Sequence, residues 1–176
     1  MSPDEDFLRH TQDSVFSWYR QADDKARVIL GFTGLFLSIL LGALIAEYTK
    51  SGAAVGARLH GAGLLLFAVA VACHLGAVLF SATALWSRGV FGPSKPGIVF
   101  FGNIANFDSA ADFEQAVRAE VAQGLYVGDL TTNILVLCKN TRLKHRLVDA
   151  AVVSSGLALL ATMCLVVVLL VGSSWL

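Results

Sequence analysis

AAVVSSGLALLATMCLVVVLLVGSSWL, residues 150–176, contains no Lys, Arg, Asp or Glu. Two earlier stretches share that property: VILGFTGLFLSILLGALIA at 28–46 and GAGLLLFAVAVACHLGAVLFSATALW at 61–86. The three run 27, 19 and 26 residues. About 20 apolar residues carry a helix across the hydrocarbon core. In lipid every backbone polar group must be satisfied within the segment, which a helix does by itself. The reading is an all-α membrane protein with three transmembrane helices.

Composition agrees. The 176 residues are 56% hydrophobic and 15% charged, against about 45–50% and 25% for a soluble globular chain. Net charge is zero, so no basic footprint for nucleic acid is present. The distribution of charge says more than its sum. Arg9, Arg20, Lys25 and Arg27 precede the first stretch, and Arg88, Lys95, Arg118, Lys139, Arg142, Lys144 and Arg146 separate the second from the third. Only Lys50 and Arg58 lie between the first and second. Positive charge stays on the cytoplasmic side, so the expected topology is multi-pass in the inner membrane, N-terminus cytoplasmic and C-terminus external.

The expected organisation follows: a cytoplasmic N-terminal helix at 1–27, spans at 28–46, 61–86 and 150–172, an external turn at 47–60, and a helical cytoplasmic segment at 87–149. The start is not that of a cleavable signal, because Asp4, Glu5 and Asp6 precede mixed residues where a basic region and an apolar run would stand. Ser2-Pro3-Asp4-Glu5 reads as a helix start, with a hydroxyl cap, proline in the first turn and acids at the positive dipole end. Leu8, Val15, Tyr19, Ala22 and Ala26 share one stripe. Among so many acids, packing on another cytoplasmic helix suits that stripe better than lying on an anionic surface.

Small residues recur at helical spacing within the spans, Gly31, Gly34, Ser38 and Gly42 in the first and Ala68, Ala72 and Gly76 in the second, the pattern that lets helices approach closely in lipid. The 87–149 segment opens with Gly89, Gly92, Pro93, Pro96 and Gly97, which break the helix leaving the membrane, followed by an aromatic patch containing Phe100, Phe101 and Phe107. Ser109 caps the next helix with Asp112 at the capping-box position, and a bend is expected at Gly124 or Gly128. Leu130, Ile134, Leu137, Thr141 and Leu147 then continue the helical period toward the last span.

No constellation in the chain carries catalysis, and the expectation is a non-enzyme without cofactor or metal. His10, His60, His74 and His145 are scattered, with no ligand spacing to cysteine or carboxylate. Cys73, Cys138 and Cys164 are odd in number and two lie at membrane depth, so structural disulfides are not expected. His74 falls near the middle of the second span. An ionisable group at that depth is a candidate functional residue; the competing reading is a neutral imidazole bonded to Ser38 or Thr162 on a neighbouring helix. Lys139, Arg142, Lys144 and Arg146 form a basic cluster beside the membrane, suited to anionic head groups or a phosphate ligand. Lys139, Arg142 and Arg146 share a stripe from which Lys144 departs.

Three segments, in this order and spacing relative to the spans, resemble the transmembrane effectors of Pycsar, the bacterial pyrimidine-cyclase antiphage system. Gln21-Ala22-Asp23-Asp24-Lys25-Ala26 leads into the first span. Phe100-Phe101-Gly102-Asn103-Ile104 follows the Gly/Pro-rich exit from the second. Leu130, Ile134 and Lys139, then Arg142-Leu143, precede the third. The resemblance covers nearly the whole chain. It implies an effector that binds cUMP or cCMP made by a cognate cyclase, assembles in the lipid bilayer as a homo-oligomer and impairs membrane integrity, so that infection is abortive. The chain has neither the strands nor the length for a cyclic-nucleotide-binding β-barrel, so the nucleotide would bind among helices. Lys139 and Arg142 are the candidates for its phosphate, and Phe100, Phe101 and Phe107 for stacking on its base. The rival classes are a ligand-independent, holin-like lesion former and a three-span scaffold subunit of a membrane complex.

Overall fold

The computed structural model describes residues 3–51, 61–86, 104 and 107–173. In chain order its principal elements are the helices α1 (Pro3–Ser51), α2 (Ala62–Trp86), α3 (Ala110–Ala122) and α4 (Tyr126–Ser173), with no strand among the described residues. α1, α2 and α4 each contain an 18-residue window of mean hydropathy 2.4 or higher, which makes them long and apolar enough to cross a membrane. This is an all-α membrane protein. The chain forms two compact units, Met1–Ala22 with Ser87–Lys144 and Asp23–Trp86 with His145–Leu176.

In the first unit, local sequence accounts for the helix boundaries. α1 begins at Pro3, where a missing N–H costs nothing. Ser109 caps α3 as its spacing predicts: its Oγ accepts from the Asp112 backbone N–H at 3.1 Å and donates to Asp112 Oδ2 at 2.6 Å. α3 ends at Gly124, whose φ of +70° is open to glycine. Leu125 N–H then reaches the Glu120 carbonyl at 3.0 Å and Gly124 N–H the Val121 carbonyl at 3.1 Å, the paired bonds of a Schellman cap. Of the two glycines expected to bend the chain, Gly124 does so, while Gly128 lies inside α4. The interior is built from Val15 of α1 with Leu130, Ile134 and Val136 of α4, all buried. Contacts of Arg9 with Tyr126 and of Tyr19 with Lys144 hold α1 against α4. The N-terminal stripe thus packs on a helix, as its acidity led us to expect.

The second unit is arranged the other way round. Most of its buried positions are small or polar: Ala70, Ala77 and Ala84 of α2, Thr33 of α1, and Ala151, Ser155, Ala158 and Ala161 of α4, with Val148 and Leu165 of α4 the larger apolar ones. Leu35, Ile39, Leu65, Leu79, Val153 and Leu160 are exposed. Between helices in lipid there is no hydrophobic force to bury large side chains, so close approach of small ones decides the interface. Thr33 and Ser155 join their hydroxyls at 3.0 Å across that interface. A Cβ placed on Gly76 would stand 3.1 Å from Ser154 Oγ, so α2 approaches α4 closely there.

The small-residue seam needs correction at all but Gly76. Gly31, Gly34 and Gly42 have nothing within 4 Å of a would-be Cβ, and Ser38, Ala68 and Ala72 are exposed. The inward face of α2 is instead Ala70, His74, Ala77, Ser81 and Ala84. Several faces of these helices carry small residues at the right period, and the packing of three helices selects one. The expected break at Gly89–Gly97 and most of the expected 47–60 turn fall outside the described residues.

Candidate functional site

The basic cluster on α4 is split by the helical period. Lys139, Arg142 and Arg146 are exposed, while Lys144 is fully buried. Lys144 lies three residues after Thr141 and four before Val148, both buried, so the inward stripe runs straight through it. Its Nζ sits 3.8 Å from the centroid of the Tyr19 ring on α1. A desolvated cation over an aromatic face is held by the ring quadrupole by about 2 kcal/mol. Lys144 is therefore part of the packing between α1 and α4, and Lys139 and Arg142 are the two members of this cluster that present their charge outward within the first unit. The sequence reading set Lys144 apart from the outward stripe but missed its partner. The signal was available in the spacing from Thr141 to Val148.

Phe107 is half-buried and meets Phe113 of α3 edge-on, with ring centroids 5.3 Å apart. Phe100 and Phe101 lie outside the described residues. A second feature of this unit escaped the sequence reading. Arg9 donates to the Tyr126 hydroxyl at 3.4 Å, and both line an open cavity of about 320 Å³ together with Glu5, Val117, Val121, Gly124 and Val127. The lining positions come from three helices 100 or more residues apart in part, and no local pattern announces them. Beside it, the Glu120 carboxyl has one buried oxygen with no hydrogen-bond partner. Burial first, and the Asp129 carboxylate second, push its pKa above the ordinary glutamate range.

In the second unit His74 is 1% exposed. Neither ring nitrogen has a hydrogen-bond partner among the described residues. The suggested partners are engaged elsewhere: Ser38 donates to the Gly34 carbonyl at 2.8 Å and Thr162 to the Ala158 carbonyl at 2.8 Å. Hydroxyls in helices commonly back-bond to the carbonyl four residues earlier, and this local bond forms without any tertiary alignment. Ser81, two turns along the same face, is fully buried and its hydroxyl likewise lacks a partner.

A family model described as the Pycsar effector protein domain matches residues 7–172. The chain belongs to that family. No curated protein and no solved structure matches it. The match takes in every helix of both units, so the membrane spans and the basic segment belong to one family architecture. Membership makes the chain a Pycsar effector, with a role in antiphage defence.

Proposed function

We propose that this Pycsar effector is activated by cUMP or cCMP from a cognate pyrimidine cyclase, and that the activated form impairs the bacterial inner membrane, producing abortive infection. The observation that carries the reading is the family match across residues 7–172, which joins three membrane-crossing helices to a helical segment bearing outward cations. The distribution of Lys and Arg supports an orientation with residues 1–27 and 87–149 in the cytoplasm, where a cyclase product would be found. Within that segment Lys139 and Arg142 would hold the cyclic phosphate by charge-assisted hydrogen bonds. Phe100, Phe101 or Phe107 would stack on the base. The effector acts on the bilayer and carries out no reaction of its own.

Three spans are too few to enclose a conducting path, so the active species is a homo-oligomer. The nucleotide shifts it toward the open form by binding that form more tightly. A near-complete switch takes a differential affinity of about 5.5 kcal/mol, within reach of one clamped phosphate and one stacked base.

The test is membrane potential and dye leakage in cells expressing the chain with a cUMP cyclase, a cCMP cyclase or neither. Collapse with one nucleotide only is the expected result and names the signal. Collapse with no cyclase replaces this reading with a holin-like lesion former. An intact membrane throughout, with the protein inserted, replaces it with a scaffold. Arg142→Ala is expected to abolish nucleotide-dependent toxicity with expression and insertion unchanged, and full toxicity in that variant removes Arg142 from the site.

A further inference from the structure

The inward face of α2 combines small residues with two polar groups that the surrounding helices leave unsatisfied. His74 and Ser81 are seven residues apart, with Ala77 between them, and all three are at most 1% exposed. Both imidazole nitrogens and the Ser81 hydroxyl lack partners among the described residues. The helices around them are themselves polar at the same interface, with Thr33 of α1 and Ser155 of α4 bonded to each other and Ser154 against Gly76. Most large apolar side chains of these helices, Leu35, Ile39, Leu65, Leu79, Val153 and Leu160 among them, point outward instead.

Buried polar groups without partners are uncommon in folded proteins and call for a reason. Ionisable residues inside membranes mark water-filled or ion-conducting routes when they face a bundle interior. A hydroxyl can satisfy itself on its own helix, as Ser38, Thr83 and Thr162 do; Ser81 does not. His74 has no such local outlet at all. The imidazole gains hydrogen bonds when water enters the seam, and the Ser81 hydroxyl gains them there as well, so hydration favours a parted bundle over the closed one.

We propose that the His74–Ala77–Ser81 face of α2 is the ion-conducting surface of the activated effector, dry in the resting bundle and hydrated when the helices part. Thr33, Ser154 and Ser155 supply the facing wall. The inference rests on the membrane-impairing reading above and adds the route to it. In the open homo-oligomer the parted inner seams of neighbouring subunits line the path together, and the outward face of α1, with Gly31, Gly34, Ser38 and Gly42, does not.

The test is cysteine accessibility in the full chain, with Cys73, Cys138 and Cys164 replaced by alanine and the cognate cyclase co-expressed or absent. Ala77→Cys and Ser81→Cys report the seam, Ser38→Cys the outer face of α1, and Leu79→Cys the lipid-facing side of α2. The probe is a permanently charged, water-borne thiosulfonate. Labelling follows the open fraction, so a shift from 1:99 to 99:1 raises the seam rate by about a hundredfold, with Ser38→Cys and Leu79→Cys unchanged. Labelling of Ser38→Cys with the seam still dry overturns the proposal. Should the cysteine-free chain fail to insert, the paired substitution His74→Leu with Ser81→Ala in the native chain decides instead. It is expected to slow nucleotide-dependent depolarisation at least tenfold, and an unchanged rate overturns the proposal. The potential of cells with the unsubstituted chain separates the two levels. No collapse with either nucleotide defeats the activation reading and this inference together, whereas collapse with an unlabelled seam defeats the inference alone.

Discussion

Among the described residues the two units bury one basic side chain each, and they treat it oppositely. In the first, Lys144 is fully enclosed and lies over the Tyr19 ring at 3.8 Å, in a unit whose buried positions include Val15, Leu130 and Ile134. In the second, His74 is as deeply enclosed among alanines and has no hydrogen-bond partner on either nitrogen. The difference follows from what each environment rewards. A water-facing unit gains by burying large apolar groups, and a cation drawn in with them needs an aromatic or polar counterpart. A lipid-facing unit gains only by close approach of small groups, which leaves little side-chain material to satisfy a ring. The first unit is built to hold its cation still, and the second holds a polar group that closure leaves wanting.

The largest expected effect breaks the first half of that contrast. Tyr19→Ala removes a packed ring and the aromatic face beneath Lys144, so it is expected to destabilise the protein by about 3–5 kcal/mol. Lys144→Met, which removes the charge and keeps the stem volume, should cost clearly less. Thermal unfolding in detergent, followed by circular dichroism, checks both, and a loss in Lys144→Met as large as that in Tyr19→Ala would mean that the charge, and not the packing of the ring, carries the contact. Next, Gly76→Leu drives a branched side chain into Ser154 and should cost about 1–3 kcal/mol, read as a lower melting temperature and faster proteolysis of the span bundle.

The second half of the contrast is sharpened by His74→Leu. With no bond to lose, the substitution relieves a desolvated imidazole, and a stabilisation of about 1–2 kcal/mol is expected. A loss of similar size would instead place a bonding partner on the ring. The smallest effect concerns Glu120, at the rim of the first unit. Its raised pKa means that the folded state holds a proton more tightly than the unfolded chain. Its contribution to stability is therefore fully present below the ordinary glutamate value and is lost as pH rises through the folded value. A melting series between about pH 4 and about pH 7 should show a shallow fall in stability with rising pH, and Glu120→Gln should flatten it.

Much of the architecture was legible from local pattern. The absence of charge over three long stretches sets the spans, because the bilayer penalises charge residue by residue. The cap at Ser109 and the break at Gly124 follow from local backbone chemistry. The separation of Lys144 from Lys139 and Arg142 follows from the helical period alone. The identity of the inward face of α2 was not legible, since Ala68, Ala72 and Gly76 are as regularly spaced as Ala70, Ala77 and Ala84. The partner of His74 was misjudged for a related reason. Ser38 and Thr162 each have a carbonyl of their own helix within reach, and a local bond forms wherever α2 happens to stand.

By itself, then, the sequence determined an all-α chain with three membrane-crossing helices, its helix caps, its charge asymmetry and its likeness to Pycsar effectors, all properties set within a few helical turns. Tertiary structure alone decided which small residues meet, that Lys144 rests on Tyr19, that Arg9 reaches Tyr126 117 positions away, and that His74 and Ser81 turn inward unsatisfied. Those outcomes depend on how helices distant in sequence are rotated against one another, and periodicity leaves that rotation open.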